Sequence, residues 1–231
     1  EFRRLSYDID SASMPSWLET SRRITSFKPD LVIFPWWVSY WAPMYAYLLF
    51  ILKKKRIRCL FLCINIFEHE DTILKKMAAK FILKRVDSII VHSEQEKNTV
   101  LEINPRATVI KHLLPLFKYE PVPATRKQGQ ALNLLFFGFV RPYKGLDTLL
   151  KAVTVLKDQH ISLKIVGEFW NGKDEYLKAI NECGIAERVE IIDRYVSDHD
   201  ISPYFASADL VVLPYRKSIT SGIIATAYGF G

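Results

Sequence analysis

The 231-residue sequence predicts an α/β protein of two units, each a parallel sheet flanked by helices. Three observations carry that prediction. Short apolar runs alternate with segments whose apolar residues recur at helical spacing, the pattern of strands joined by crossover helices. The alternation is rapid and sequential, which implies parallel pairing with right-handed connections. It is interrupted once, from Leu113 to Ala131, where LLPLFKYEPVPATRKQGQA brings three prolines, a glycine and mixed charge. That interruption marks a boundary. Residues 1–118 are assigned to the first unit and 119–231 to the second.

The first unit reads as follows. SWLETSRRITSFKPD is a helix with Ser16 as its cap and Pro29 beyond its end. Leu31 to Leu52 carries no charge and is followed by Lys53, Lys54, Lys55 and Arg56, so its length and flank fit a membrane span. Pro35 and Pro43 divide it, however, and a buried strand over Leu31 to Phe34, an aromatic loop and a helix explain the same letters. That loop, with Trp36, Trp37, Tyr40 and Trp41, has rings of the kind that settle at membrane interfaces. Ile57 to Ile64 is a strand ending at Asn65, and a helix spans about Asp71 to Arg85. Lys76, Lys80 and Lys84 form a basic stripe on it, set opposite Ile73, Met77 and Phe81; such a stripe is either a solvated face or a lipid-binding one. SIIVH, from Ser88, is a third strand. The helix after it has Ser93 as cap and Glu96 three residues on. Ala107 to His112 is the fourth strand.

The second unit opens on the stretch that organises the rest. Leu134 to Phe137 is a polar-free strand ended by Gly138, and Leu146, Leu149, Leu150, Val153 and Leu156 then recur at helical spacing. Between them lie Arg141, Pro142, Tyr143, Lys144 and Gly145. Parallel sheets present ligands at the carboxyl ends of their strands, beside the unpaired amides of the next helix. Two cations there suit a phosphate-bearing ligand, although an ordinary strand-to-helix connection has the same letters. Recurrence favours the clamp. Strands at Ile161 to Val166, Val189 to Ile192 and Leu210 to Leu213 end in Glu168, in Asp193 with Arg194, and in the run Ser218 to Gly222. Helices cover Asp174 to Cys183 and about Asp200 to Ser207, and another starts near Gly222.

FGFVRPYKGLD, VGEFW, DRYVSDHDISPYFASADLVVLPYR and SGIIATAYGFG together resemble the nucleotide-binding half of the retaining glycosyltransferases of family four, which have the GT-B fold of two Rossmann-like domains. SWLETSRRI, FKPDLVIFPWW, LCINIFEHE and VHSEQE resemble the acceptor half more loosely. The resemblance implies transfer of a sugar from a nucleotide-diphosphate sugar to a glycan or lipid-linked acceptor with retention, in cell-surface polysaccharide or glycoconjugate biosynthesis. It implies that Arg141 and Lys144, behind Gly138, hold the diphosphate and carry catalysis. Ser218, Thr220, Ser221 and Gly222 would present hydroxyls and amides to the same phosphates. Glu168, Phe169, Trp170, Arg194 and Tyr195 would contact base and ribose, and Asn65, His69 and Glu70 would face the acceptor. No metal or cofactor is implied beyond the donor, since cations and a helix start can replace one.

Three positions depart from the family pattern. Phe139 stands where the family has its arginine, two residues before Arg141. The region KSITSGIIAT has no acid at Ser218, Ala225 or Thr226, where most members have a glutamate pair, a variation that occurs in one branch. Ile64 precedes Asn65 where related sequences have histidine. These departures leave open a catalytically impaired homologue that serves as a binding or assembly partner. An epimerase or other dinucleotide enzyme needs a G-x-G-x-x-G turn, and the sequence has none.

Half the residues are apolar (49%) and 25% are charged, which excludes a disordered chain. Residues 1–120 hold 19 Lys and Arg against 13 Asp and Glu, so they carry most of the net charge of +7. A basic first half suits an anionic partner, such as a phospholipid surface or a phosphorylated acceptor, while no nucleic-acid-binding motif is present. Cys59, Cys63 and Cys183 have no ligand cluster around them and are expected as free thiols in a reducing compartment, the cytoplasm or the inner face of its membrane. The chain starts without Met at EFRRLSYDID and ends in AYGFG within a helical pattern. It is expected to be an internal piece of a longer protein, with both domains incomplete and no activity on its own.

Overall fold

A computed structural model describes residues 8–67, 72–114, 119, 131–216 and 221–230. Contacts divide the chain into two compact units, Glu1–Leu113 and Leu114–Gly231.

In the first unit the order is α1 (Met14–Phe27), β1 (Leu31–Trp36), a 3-10 turn (Ser39–Trp41), α2 (Ala42–Lys54), β2 (Arg58–Cys63), α3 (Ile73–Leu83), β3 (Ser88–Val91), α4 (Glu94–Ile103) and β4 (Thr108–Lys111). All pairings are parallel, in the order β1-β2-β3-β4. Because the strands advance in one direction, right-handed crossovers put α2, α3 and α4 on one face of the sheet. Phe34, Trp36, Phe61, Cys63, Ile89 and Val91 fill that face. Leu31 and Ile33 point the other way and are exposed, so the strand read as buried is buried on one side only.

The charge-free stretch resolves into β1, the turn and a 13-residue α2. Among the described residues no helix is long and apolar enough to cross a membrane. β1 runs two residues further than its sequence suggests and takes in Pro35. A strand tolerates proline at a sheet edge, and β1 is the edge. Trp36, expected in an interfacial loop, is instead a core residue whose indole N–H donates to the Ile66 carbonyl at 3.3 Å. Trp37 and Tyr40 are exposed.

α1 begins at Met14 with Pro15 in its first turn and Ser13 at its N-cap. Ser16, read as the cap, lies inside the helix, and its hydroxyl bonds the Asp10 and Ser13 carbonyls at 3.0 and 2.7 Å. The cap read at Ser93 is present. Its Oγ accepts from the Glu96 N–H at 3.1 Å, and Glu96 Oε2 accepts from the His92 N–H at 3.2 Å. Burial holds the Glu96 carboxyl above its ordinary range. Replacing Ser93 by alanine is expected to cost about 1 kcal/mol, read as a lower urea midpoint with an unchanged slope. All three cysteines are free. Burial pushes the Cys59 thiol up to about 11 and Cys63 higher still, so both pack as small apolar groups.

The second unit contains β5 (Leu132–Phe137), a 3-10 turn (Pro142–Lys144), α5 (Leu146–Val155), β6 (Ile161–Val166), α6 (Lys173–Glu182), a 3-10 turn (Ala186–Arg188), β7 (Val189–Ile192), α7 (Ser202–Ala206), β8 (Leu210–Val211) and α8 (Gly222–Phe230). The parallel order is β7-β6-β5-β8. Both faces are covered, which explains the polar-free strand. Leu134 and Phe136 face the α5 and α6 layer, while Leu135 and Phe137 face Ile201, Phe205 and Ile223. Strand order reverses between β5 and β8, and at such a switch point the diverging connections open a crevice at the carboxyl edge.

Candidate functional site

Four loops gather at that edge, and hydrogen bonds tie each to a neighbour. After β5, Gly138 takes φ +95° and Val140 bridges to Phe169 in the loop after β6. The Val140 N–H donates to the Glu168 carbonyl at 2.9 Å. The loop after β7 joins through Asp193, which accepts from the Phe169 N–H at 3.0 Å and pairs with Lys173 at 2.7 Å. The Lys173 contact holds its carboxyl below the usual range. On the far side of β5, the Arg216 N–H donates to the Tyr143 carbonyl at 2.8 Å, and the Arg216 guanidinium pairs with Asp147 at the start of α5.

Two glycines permit this closeness. Gly145 has φ +71°, and a Cβ there would lie 2.1 Å from the Pro214 carbonyl oxygen. Gly167 has φ +141°, and its Cβ would lie 2.3 Å from the Gly138 carbonyl oxygen. Neither space admits a side chain.

Lys144 lies at the centre of this cluster. It is 7% exposed, and a Cβ at Gly138 would lie 2.9 Å from its ammonium and 3.6 Å from Ile223 of α8. The ammonium therefore points at the β5 end and the first turn of α8, with the Tyr215 ring centroid 5.6 Å away. Burial, and then the neighbouring Arg141, bring its pKa down to about 8. Arg141 stacks its guanidinium 4.2 Å from the Trp170 ring centroid, and Phe139 meets the same indole edge-on at 6.3 Å. Gly222 opens α8, where the first amides of a helix have no partner within it. A buried cation, a second cation on an aromatic shelf and a helix start can together hold an anion with several oxygens.

The structure thus gathers Gly138, Arg141, Lys144, Trp170 and the Ser221–Gly222 step around one edge. Phe169 instead packs on Tyr176 beside the α5 and α6 core. Glu168 is exposed and contributes its carbonyl, Arg194 donates to the Tyr204 hydroxyl at 3.1 Å, and Tyr195 is exposed. Asn65 is half-buried at the carboxyl edge of the first sheet, next to exposed Ile64. His69, Glu70, Ser218 and Thr220 lie outside the described residues. Tyr215 and the Arg216–Asp147 pair were not read as site residues; their signal was their place just beyond the strand across the switch point. Among the described residues no group of three or more His, Cys, Asp or Glu is placed to hold a metal ion.

Residues 131–231 match the family described as Glycosyl transferases group 1. That match lies within the second unit. Parts of the chain are also similar to two curated proteins. A GDP-mannose:glycolipid 4-beta-D-mannosyltransferase of Xanthomonas campestris is 33% identical over 108 residues, 45% of this chain and 30% of that protein. A D-inositol 3-phosphate glycosyltransferase of Mycolicibacterium gilvum is 26% identical over 165 residues, 66% of this chain and 37% of its own length. The chain therefore spans about a third of the curated relatives it matches. Among solved structures, Anabaena HepE in complex with UDP aligns with a TM-score of 0.72 at 17% identity, covering 94% of this chain and 61% of that one. The two parallel four-stranded sheets match the GT-B glycosyltransferase fold over part of its length.

The lowered pKa of Lys144 implies a pH dependence for this site. Between about 8 and 10.5 the unfolded chain keeps a proton that the folded lysine has lost. Lys144 then contributes a rise in folded-state stability with pH across that window. An anionic ligand needs the ammonium form, so its affinity is expected to fall as pH rises through the folded value. Nucleoside diphosphate titrations at pH 7 and pH 9 should show the loss, and Lys144→Met should remove most of it.

Proposed function

We propose that this protein transfers a sugar from a nucleotide-diphosphate sugar to a hydroxyl of a glycan or lipid-linked acceptor, with retention, in cell-surface polysaccharide or glycoconjugate biosynthesis on the cytoplasmic side of a membrane. The observation that carries the reading is Lys144, a buried ammonium directed at the β5 end and the α8 start, with Arg141 beside it. As the bond between sugar and diphosphate breaks, negative charge builds on the leaving phosphate oxygens while the sugar becomes cation-like. Lys144, Arg141 and the first α8 amides would stabilise that charge. Lys144 is already desolvated, so its interaction with a phosphate is stronger than that of a surface lysine.

HepE was solved with UDP, and the Xanthomonas relative is named for GDP-mannose, so both bases belong in the test. Thermal shifts of the intact protein with UDP-, GDP- and ADP-linked sugars are expected to raise the melting temperature for one base. No shift with any of them would contradict donor binding. Because that relative is named a beta-mannosyltransferase, retention needs its own check, by NMR of the product's anomeric configuration.

A second reading, an impaired homologue that binds without transferring, is favoured by Ile64. It places an apolar, 38% exposed side chain at the acceptor-side edge, where a histidine could assist a hydroxyl. Donor binding without turnover over any acceptor would select it.

A further inference from the structure

Helix α3 has two apolar faces. Ala79, Ile82 and Leu83 are buried in the core. On the other side Ile73, Leu74, Met77 and Phe81 are 80, 77, 61 and 47% exposed. The basic stripe expected opposite Ile73, Met77 and Phe81 is therefore beside them, and both rows face solvent. At about 100° per residue the four apolar side chains fall within one arc, half a turn from the buried face. Lys76, Lys80 and Lys84 follow one margin of the arc, and Arg85 the other.

The end of α2 extends the surface. Phe50 is 57% exposed, with the Lys54 ammonium 4.2 Å from its ring centroid, and the Arg85 guanidinium lies 3.5 Å from that of Phe81. These four residues line a shallow groove between the helices together with Leu49. Residues 42–56 and 72–85 hold nine Lys and Arg and no Asp or Glu. Of the nearest acids in sequence, Glu68, Glu70 and Asp71 lie outside the described residues, and Asp87 pairs with Lys53 at 3.1 Å, at the end of α2.

We propose that this face of α3, with the end of α2, docks on an anionic phospholipid surface. The helix would lie in the plane of the interface, with its outer apolar row at the acyl boundary and its flanking cations among the headgroups. A solvated face gains nothing from four large apolar side chains in one arc. Nucleic acid would pair the cations and leave that arc in water. Cations capping exposed aromatic rings suit an interface that is apolar below and charged above. Docking also holds the carboxyl edge of the first sheet, where α3 begins, close to the surface. That consequence, unlike the docking itself, rests on a lipid-linked acceptor.

The test is sedimentation of the intact protein with vesicles of phosphatidylcholine alone, or with about a third phosphatidylglycerol, at low and high salt. Binding is expected on the anionic vesicles and should weaken with salt. Lys76→Gln with Lys80→Gln should reduce partitioning about 25-fold, at about fivefold per cation near the surface. Leu74→Ser with Met77→Ser should abolish binding at high salt and leave the circular dichroism spectrum unchanged, because both side chains are exposed. No binding, equal binding to both vesicle types, or binding that survives both double variants would overturn the proposal. So would a dimer that Leu74→Ser with Met77→Ser makes monomeric, which would assign the face to a second copy of the chain.

Discussion

Replacing Lys144 by methionine is expected to make the protein more stable and to reduce donor-dependent turnover at least a hundredfold. The two effects share one cause. In the free protein Lys144 is 7% exposed and sits beside Arg141, and burial brings its pKa down to about 8, so the folded state disfavours the charge. Methionine keeps most of the apolar stem and removes the ammonium, which should stabilise the folded state by about 3 kcal/mol at pH 7. Calorimetry should show this as a rise of several degrees in melting temperature. The same ammonium is the group best placed to meet the leaving diphosphate. Loss of one such preorganised donor costs about 3 to 4 kcal/mol of barrier, a factor of 10² to 10³. A purely structural lysine would predict the reverse, lower stability with little change in rate.

Gly167→Ala is expected to destabilise the second unit by 3 kcal/mol or more and to abolish donor binding with it. At φ +141° an alanine is strained, and its Cβ would lie 2.3 Å from the Gly138 carbonyl oxygen. Relief requires the ends of β5 and β6 to part, which displaces the loop that carries Arg141 and Lys144. Gly184→Ala is the matched control. Its φ is +65° with nothing within 4 Å of the added carbon, so it should cost only about 1 kcal/mol of backbone strain. Chemical denaturation of the two variants compares them directly, and equal losses would show that the close approach of the two strand ends contributes nothing.

The fold was legible where one physical constraint governs a whole segment. LNLLFF of β5 carries apolar side chains at consecutive positions because helices cover both faces of the second sheet. Ser93 and Glu96 announce a helix start through spacing alone, and the structure contains those hydrogen bonds. Pro35 was misleading because its effect depends on sheet position, and at an edge it ends nothing. Trp36 was misleading for a related reason. Whether an indole is core or surface depends on a backbone carbonyl 30 residues away, that of Ile66.

The candidate site was legible as a set of strand ends, because parallel topology sends every strand end to one edge. Its interior was not. The inward turn of Lys144, the shelf that Trp170 gives Arg141, and the tie from Arg216 to Asp147 all depend on contacts between distant segments. Helix α3 shows the same limit. Periodicity reveals which residues share a face, and the exposed row of Ile73, Leu74, Met77 and Phe81 shows that it does not reveal whether the face is covered.

The most direct test of the phosphate cradle is calorimetric titration of the intact protein with a nucleoside diphosphate and with its parent nucleoside, in the wild type and in Lys144→Met. The structure predicts that the variant loses on the order of a hundredfold in affinity for the diphosphate and nothing for the nucleoside. Equal diphosphate affinity in the two proteins would contradict the cradle.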